Sequence, residues 1–337
     1  MTARRGVGTQ LVVALWCAVV AACTLDVAGE KRPGAGGEFV ADGPRDQSND
    51  PILSGSDGDE SLSGGTDPGG PGAEPVGECD LTGVFAVQLR YPVSWDAASG
   101  GGGFAPLTSE GAGEVRLLSL AFLIHPGEQV SGAMDPCGVD LPEFQSGTRN
   151  EVYAPVVPEA AFESEAMPAW SVQARTPCAN PGCAILSDEA TAMLGVDPDD
   201  PVGEWPGYPP ADDALSAWSD PDQDGFPGLT ASFADERLPV DGLVGLGSRA
   251  ESVALALQAQ WALGGTFLDC DALEGPLEGR VDSLFAGCRV EGDGPCGDTQ
   301  HDFLRDNLPR WQNGTGARFQ MQRMDSAATC ADVRALY

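Results

Sequence analysis

The sequence predicts an all-β fold with minor α content, an antiparallel barrel or sandwich, and three observations carry that prediction. After residue 78, several segments alternate apolar and polar residues at period two, the spacing that turns one strand face into a core. Clusters of Gly, Pro and Asp separate these segments, as turns between antiparallel strands require. With 45 Gly and 27 Pro, the chain holds too many helix breakers for a helical bundle.

Val84–Tyr91 opens the series, with Phe85, Val87, Leu89 and Tyr91 on one face and Ala86, Gln88 and Arg90 on the other. Val115–Ile124 is an apolar run, the mark of a strand buried on both faces. Shorter alternations follow at Ala169–Arg175, Leu229–Ala234 and Arg318–Gln322. Val253–Leu263 places Val253, Leu255, Leu257, Ala259, Trp261 and Leu263 on one side. Its Ala and Leu content suits a helix, but strict alternation favours a strand. Helical pattern occurs in two patches. Asp298 or Thr299 caps one that runs through Leu308 and stops at Pro309, and Ser326 caps a last one through Leu336.

Ahead of these elements lies a different composition. Met1–Gln10 carries Arg4 and Arg5 and no acid, and Leu11–Ala22 is an apolar run of twelve residues. Twelve helical residues span about 18 Å, short of a hydrocarbon core of about 30 Å. A basic stretch before a short apolar run reads as an export signal over residues 1–22. Residues 24–77 contain 13 Gly, 6 Pro and 11 acids against 3 bases, with apolar scraps such as Phe39-Val40 and Ile52-Leu53. Such a segment buries too little surface to offset its ordering entropy, so residues 23–77 are expected to be an acidic tether.

Val20-Ala21-Ala22-Cys23 resembles the lipobox of bacterial lipoproteins. The resemblance implies cleavage between Ala22 and Cys23, diacylglycerol on the Cys23 thiol, and acylation of the new amine with a palmitate-type chain. Two or three acyl chains hold a membrane stably where one binds reversibly. Thr24 stands where inner-membrane lipoproteins carry Asp, so the resemblance points to the cell envelope and the outer membrane, on its periplasmic or surface side. The membrane is then a partner through the anchor alone.

The formal charge is −33, from 18 basic and 51 acidic residues, and −27 of it falls in residues 78–337. A nucleic-acid binder needs clustered Lys and Arg and is excluded. Residues 78–337 hold eight cysteines: Cys79, Cys137, Cys178, Cys183, Cys270, Cys288, Cys296 and Cys330. An even count behind an export signal predicts disulfides. Only Cys178 and Cys183, across Ala-Asn-Pro-Gly, suggest a pairing by themselves, a short loop closed over a turn. Two histidines, His125 and His301, and no CxxC pair argue against zinc.

One segment carries metal chemistry. Asp220-Pro-Asp222-Gln-Asp224-Gly225-Phe226 spaces three carboxylates at alternate positions ahead of a Gly. A hard cation needs six to eight oxygens, and Gly permits the sharp turn that converges them. The pattern resembles the first half of an EF-hand, dockerin or thrombospondin type 3 calcium loop. That resemblance implies Ca²⁺ ligands from Asp220, Asp222 and Asp224 and from the Phe226 carbonyl. Ala231 stands where the bidentate acid belongs, and Asp235, Glu236, Asp212 and Asp213 are the nearby substitutes. Gly83-Val84-Phe85 resembles the Gly-x-Trp entry to the first strand of lipocalins, with Phe in place of Trp. With the C-terminal helix, it implies a lipocalin-like barrel and assigns no binding residue.

No nucleophile elbow or P-loop is present. The sequence therefore favours an envelope-anchored lipoprotein with a non-enzymatic binding or scaffolding domain for a small-molecule or protein ligand, with bound calcium. The alternative is a glycan-acting hydrolase using paired carboxylates, though 40 acids in residues 78–337 single out no pair. Trp95, Trp170, Trp205, Trp218, Trp261 and Trp311 are expected mainly in the core or as loop anchors.

Overall fold

The computed structural model describes residues 79–98, 107–145, 147, 151–164, 167–177, 180–196, 219–233, 237–240, 248–290, 292 and 294–337. The signal over 1–22, Cys23 and the tether lie outside the described residues. The strands are β1 (Gly83–Trp95), β2 (Gly111–Ile124), β3 (Gln129–Asp140), β4 (Phe144–Gln145), β5 (Val152–Tyr153), β6 (Pro155–Val156), β7 (Trp170–Arg175) and β8 (Ala184–Ser187). There follow β9 (Ala190–Leu194), β10 (Leu229–Phe233), β11 (Leu238–Pro239), β12 (Arg249–Phe267), β13 (Ala272–Val290), β14 (Gly294–Pro295), β15 (Gln312–Asn313) and β16 (Arg318–Met324). Among the described residues two α-helices, α1 (Asp298–Asn307) and α2 (Cys330–Leu336), and a short 3-10 helix over Glu159–Glu163 complete the set.

The pairings run in chain order: β1 with β2, β2 with β3, β3 with β7, β7 with β8, β8 with β12, β12 with β13, and β13 with β16. β16 then returns to β1, all pairs being antiparallel. The sheet thus closes on itself as an up-and-down barrel, which removes the open edges that invite aggregation. A second bridge, β3–β6–β10–β12, spans the same interval as β7 and β8.

Alternation explains the interior. Phe85, Val87, Leu89, Tyr91, Val93 and Trp95 of β1 all point inward and are buried, and Leu257, Ala259, Trp261 and Leu263 of β12 do the same. Trp170 and Trp261 meet edge to face, with ring centroids 5.8 Å apart. Each fully buried side chain of this size contributes about 1.5–3 kcal/mol. The apolar run in β2 is buried on both faces over Leu117–Ala121, as expected, but Phe122 and Ile124 at its end are exposed. Leu117 and Ala121 face the interior, while Leu118 and Leu120 form an outer cluster with Val84, Ala86, Cys137 and Val333 of α2. β12 is a strand despite its Ala and Leu because partners on both sides take up its backbone groups.

Two long strands escape the alternation rule. In β13, Leu273, Leu277 and Val281 are buried at a spacing of four because glycines occupy the intervening inward positions. A Cβ on Gly275 would lie 2.4 Å from the Gly264 carbonyl oxygen, and one on Gly279 2.0 Å from that of Gln260. The hairpin bends so closely that only glycine fits. In β3, the register against β2 shifts between Leu118 and Ser119, and Gly132 and Gly138 dilute the pattern. Both helix starts also differ from expectation. α1 begins after Gly297, whose amide donates to Gln300 Oε1 at 2.9 Å. α2 is capped by Thr329, whose amide and hydroxyl donate to Asp332 Oδ2, each at 2.8 Å, not by Ser326. Asp325 instead ties Ser326–Ala328 into a turn through bonds to Ala327 and Ala328.

Side chains from distant elements close both barrel ends. Where β1 begins, Arg323 donates to the carbonyls of Thr82 (3.0 Å), Cys270 (3.3 Å) and Asp80, and to Asp271 Oδ1 (2.7 Å). Its guanidinium also lies 4.6 Å from the centre of the Phe85 ring. At the other end, Leu304 of α1 is fully buried in the interior cluster, and Thr108 Oγ1 donates to the Asn307 carbonyl at 3.1 Å.

Candidate metal centre

The acidic loop hangs between Gly195 and β10, on the flank of β12. The Gly228 amide donates to the Ser219 carbonyl at 2.7 Å and the Ser219 amide to the Gly195 carbonyl at 3.2 Å, so the loop is closed at its neck. Gly195 (φ +77) and Gly228 (φ +103) lie against the backbone of Leu255, where a Cβ would clash. Gly225 turns the chain with φ +86, and Gln223 adopts φ +55. Left-handed backbone at two points in three residues coils Asp220–Phe226 tightly enough to bring alternate side chains inward.

Asp220 organises the coil. Its Oδ1 accepts from the Asp224 amide at 3.2 Å and its Oδ2 from the Gly225 amide at 2.9 Å. Asp224 Oδ1 accepts from the Phe226 amide at 2.9 Å, and its Oδ2 from Thr230 Oγ1 at 2.9 Å. Asp222 Oδ2 accepts from the Thr230 amide at 2.9 Å, while its Oδ1 is buried with no hydrogen-bond partner among the described residues. One oxygen from each carboxylate lies within 4.8 Å of the others. Oxygens on one Ca²⁺ sit about 2.3–2.6 Å from it and so up to about 5 Å from each other, a spacing that these three keep. Burial, with the neighbouring Asp224 charge and a hydrogen bond to Asp220, raises the Asp222 pKa from 3.8 to about 6. A cation would offset the burial, and relieve the Asp224 repulsion, that make Asp222 costly to ionise.

The sequence missed the loop's supports. Thr230, the second residue of β10, binds two of the three acids. A hydroxyl residue at an outward strand position just past the loop was its only sequence signal. Arg289 of β13 stacks its guanidinium 4.5 Å above the Phe226 ring, a contact between residues too far apart in sequence to infer. Ala231 is fully buried and pairs with Val253, so the place of the bidentate acid faces the core. The substitutes Asp212, Asp213, Asp235 and Glu236 lie outside the described residues.

Other candidates are structural. Cys79–Cys270, Cys137–Cys330 and Cys288–Cys296 form disulfides, with Cα separations of 4.9, 4.9 and 5.4 Å. Cys183 is disulfide-bonded, and Cys178, its expected partner, lies outside the described residues. His125 Nδ1 accepts from the Leu81 amide at 3.3 Å, and the His301 ring packs on Phe285 at 4.9 Å. Trp95, Trp170 and Trp261 are core residues and Trp311 packs against that core, while Trp205 and Trp218 lie outside the described residues. No family model matches the chain, and no curated protein matches it in sequence.

Proposed function

We propose that the chain is an exported lipoprotein, anchored in the cell envelope through Cys23, whose β-barrel domain binds or scaffolds a partner without catalysis and takes up one Ca²⁺ at Asp220–Phe226. The observation that carries the metal part is the convergence of Asp220, Asp222 and Asp224 within 4.8 Å, with Asp222 Oδ1 buried and unpartnered among the described residues. The scaffold part is supported by an interior occupied by Phe85, Tyr91, Trp170, Trp261 and Phe319, side chains that hold a surface rigid. The anchor rests on the lipobox alone, and the outer membrane on Thr24 after it.

Three monodentate carboxylates and the Phe226 carbonyl leave the shell to be completed by water or a further acid, which sets affinity at the weak end, about 10⁻⁴–10⁻³ M. At ten times its dissociation constant, Ca²⁺ adds about 1.4 kcal/mol, or roughly 3–5 °C in Tm. Melting in Ca²⁺, Mg²⁺ and chelator at equal ionic strength tests this. Ca²⁺ is expected to raise Tm most, and Asp222→Ala with Asp224→Ala to remove the difference while leaving a folded domain. Identical melting in all three media means the loop is an acidic turn. The anchor has its own test: Cys23→Ser shifts the protein from the detergent to the aqueous phase, and unchanged partitioning rejects the lipobox.

A further inference from the structure

The helix α2 is set apart from the rest of the domain. It follows the last strand, outside the closed circuit, and lies across the outer faces of β1, β2 and β3. Its contact cluster is separate from the interior core: Val84, Ala86, Leu118, Leu120 and Cys137 meet Val333, the one fully buried residue of the helix. The disulfides divide in the same way. Cys79 and Cys288 belong to the interior cluster, and Cys270 and Cys296 pack on it, whereas Cys137 and Cys330 belong to the outer one.

Besides the disulfide, one buried side chain, Val333, and bonds from Arg334 and Tyr337 hold the helix. At seven residues, α2 is shorter than the roughly 12–15 residues at which isolated helices become even marginal. Arg334 Nη1 donates to the Cys137 carbonyl at 2.9 Å, and its other nitrogen pairs with Glu159 at 3.0 Å. Glu159 is 71% exposed, so that pair adds little. The Tyr337 hydroxyl reaches the Ala86 and Gln320 carbonyls only at 3.4 and 3.5 Å.

We propose that α2 is a strap latched by Cys137–Cys330, and that a dithiol reductant releases it from the outer face while the barrel stays closed. Cys137 is fully buried and Cys330 only partly, so the reductant's thiolate attacks Cys330 Sγ. The Sγ–Sγ bond breaks, Cys137 leaves as a thiolate, and a mixed disulfide forms on Cys330. The reductant's second thiol then displaces Cys330, so two electrons and two protons pass to the protein and the reductant ends as a disulfide. Release uncovers Val84, Ala86, Leu118 and Leu120. These adjoin Phe122, which is already 42% exposed and pairs with Val84 in the register of β1 and β2. The strap depends on neither the calcium site nor the lipid anchor.

The test uses the folded, oxidised chain in native buffer under a graded series of dithiothreitol. Mass-tagging of free thiols is expected to find Cys137 and Cys330 reduced at concentrations that leave Cys79–Cys270 and Cys288–Cys296 bonded. Amide exchange over residues 330–336 should then accelerate by at least about 30-fold, the lower end of what one disulfide holds in place. Exchange in β1, β12 and β13 should stay within about twofold, because the barrel is intact. Cys137→Ala with Cys330→Ala should show the same pattern without reductant or tag. Simultaneous reduction of Cys137–Cys330, Cys79–Cys270 and Cys288–Cys296 overturns the proposal. So does a helix that stays protected once its sulfurs are free, or a double variant that cannot form the barrel.

Discussion

Thr230 and Ala231 are neighbours in β10 and serve two regions built on opposite principles. Ala231 faces the interior, is fully buried, and belongs to the main apolar core. Thr230 faces outward and spends its amide and hydroxyl on Asp222 and Asp224. The interior is fixed by volume: Gly275 and Gly279 are there because a Cβ would strike the backbone of β12. The acidic loop is fixed by hydrogen bonds to carboxylates, and burial with the nearby Asp224 charge makes Asp222 costly to ionise there. A barrel held by packing can carry a loop held by charge, because the two share a strand without sharing a force.

The largest expected effect lies in the interior. Trp261 is buried beside Trp170, and Trp261→Ala should cost about 3–5 kcal/mol through lost contacts and the cavity left behind. Urea denaturation in Ca²⁺ and in chelator should give the same loss. A loss that differs between the two media breaks the comparison, since it would tie the core to the acidic loop. Arg323 sharpens it from the other side. It is charged, yet it serves the barrel by holding the carbonyls of Thr82, Cys270 and Asp80 over Phe85. Arg323→Met should cost about 1.5–3 kcal/mol, the range for hydrogen bonds to a charged group, and again without dependence on Ca²⁺. Equal stability of this variant and wild type would mean that the barrel end closes without the guanidinium.

Period-two alternation made β1, β7, β10, β12 and β16 readable, because one buried face leaves one residue in two apolar. It did not reveal β13, whose inward row is broken by the glycines that let the hairpin bend. Nor did it reveal β3, where a shifted register and glycines interrupt the row. The acids of the candidate site were legible because Asp-x-Asp-x-Asp-Gly is contiguous. Its supports were not: Arg289 arrives from β13, and only the paired register of β12 and β13 brings it above Phe226. The same holds for Arg323, which reaches the start of β1 only because β16 closes the circuit. Local patterns survive in a sequence, and contacts made by closure do not.

The smallest effect separates the two regions most cleanly. Burial and the Asp224 charge raise the pKa of Asp222 from 3.8 to about 6. The folded chain therefore holds that proton more tightly than the unfolded chain does. This stabilisation is complete below pH 3.8 and is lost as pH rises through about 6. Asn at this position still offers an oxygen to the Thr230 amide but has no proton to lose. In chelator, wild type should thus lose stability relative to Asp222→Asn as pH rises from about 4 to about 7. The change should stay under about 1 kcal/mol, because the carboxylate is only half-buried and solvent screens it. With saturating Ca²⁺ at neutral pH the order should reverse, since a cation favours the ionised carboxylate over the neutral amide. Trp261→Ala should show neither trend. Urea curves at three pH values, with and without Ca²⁺, measure all of this. If wild type instead gains on Asp222→Asn as pH rises in chelator, the ionised carboxylate is stabilised by the loop's own amides, and repulsion among the three acids is not what a cation would relieve.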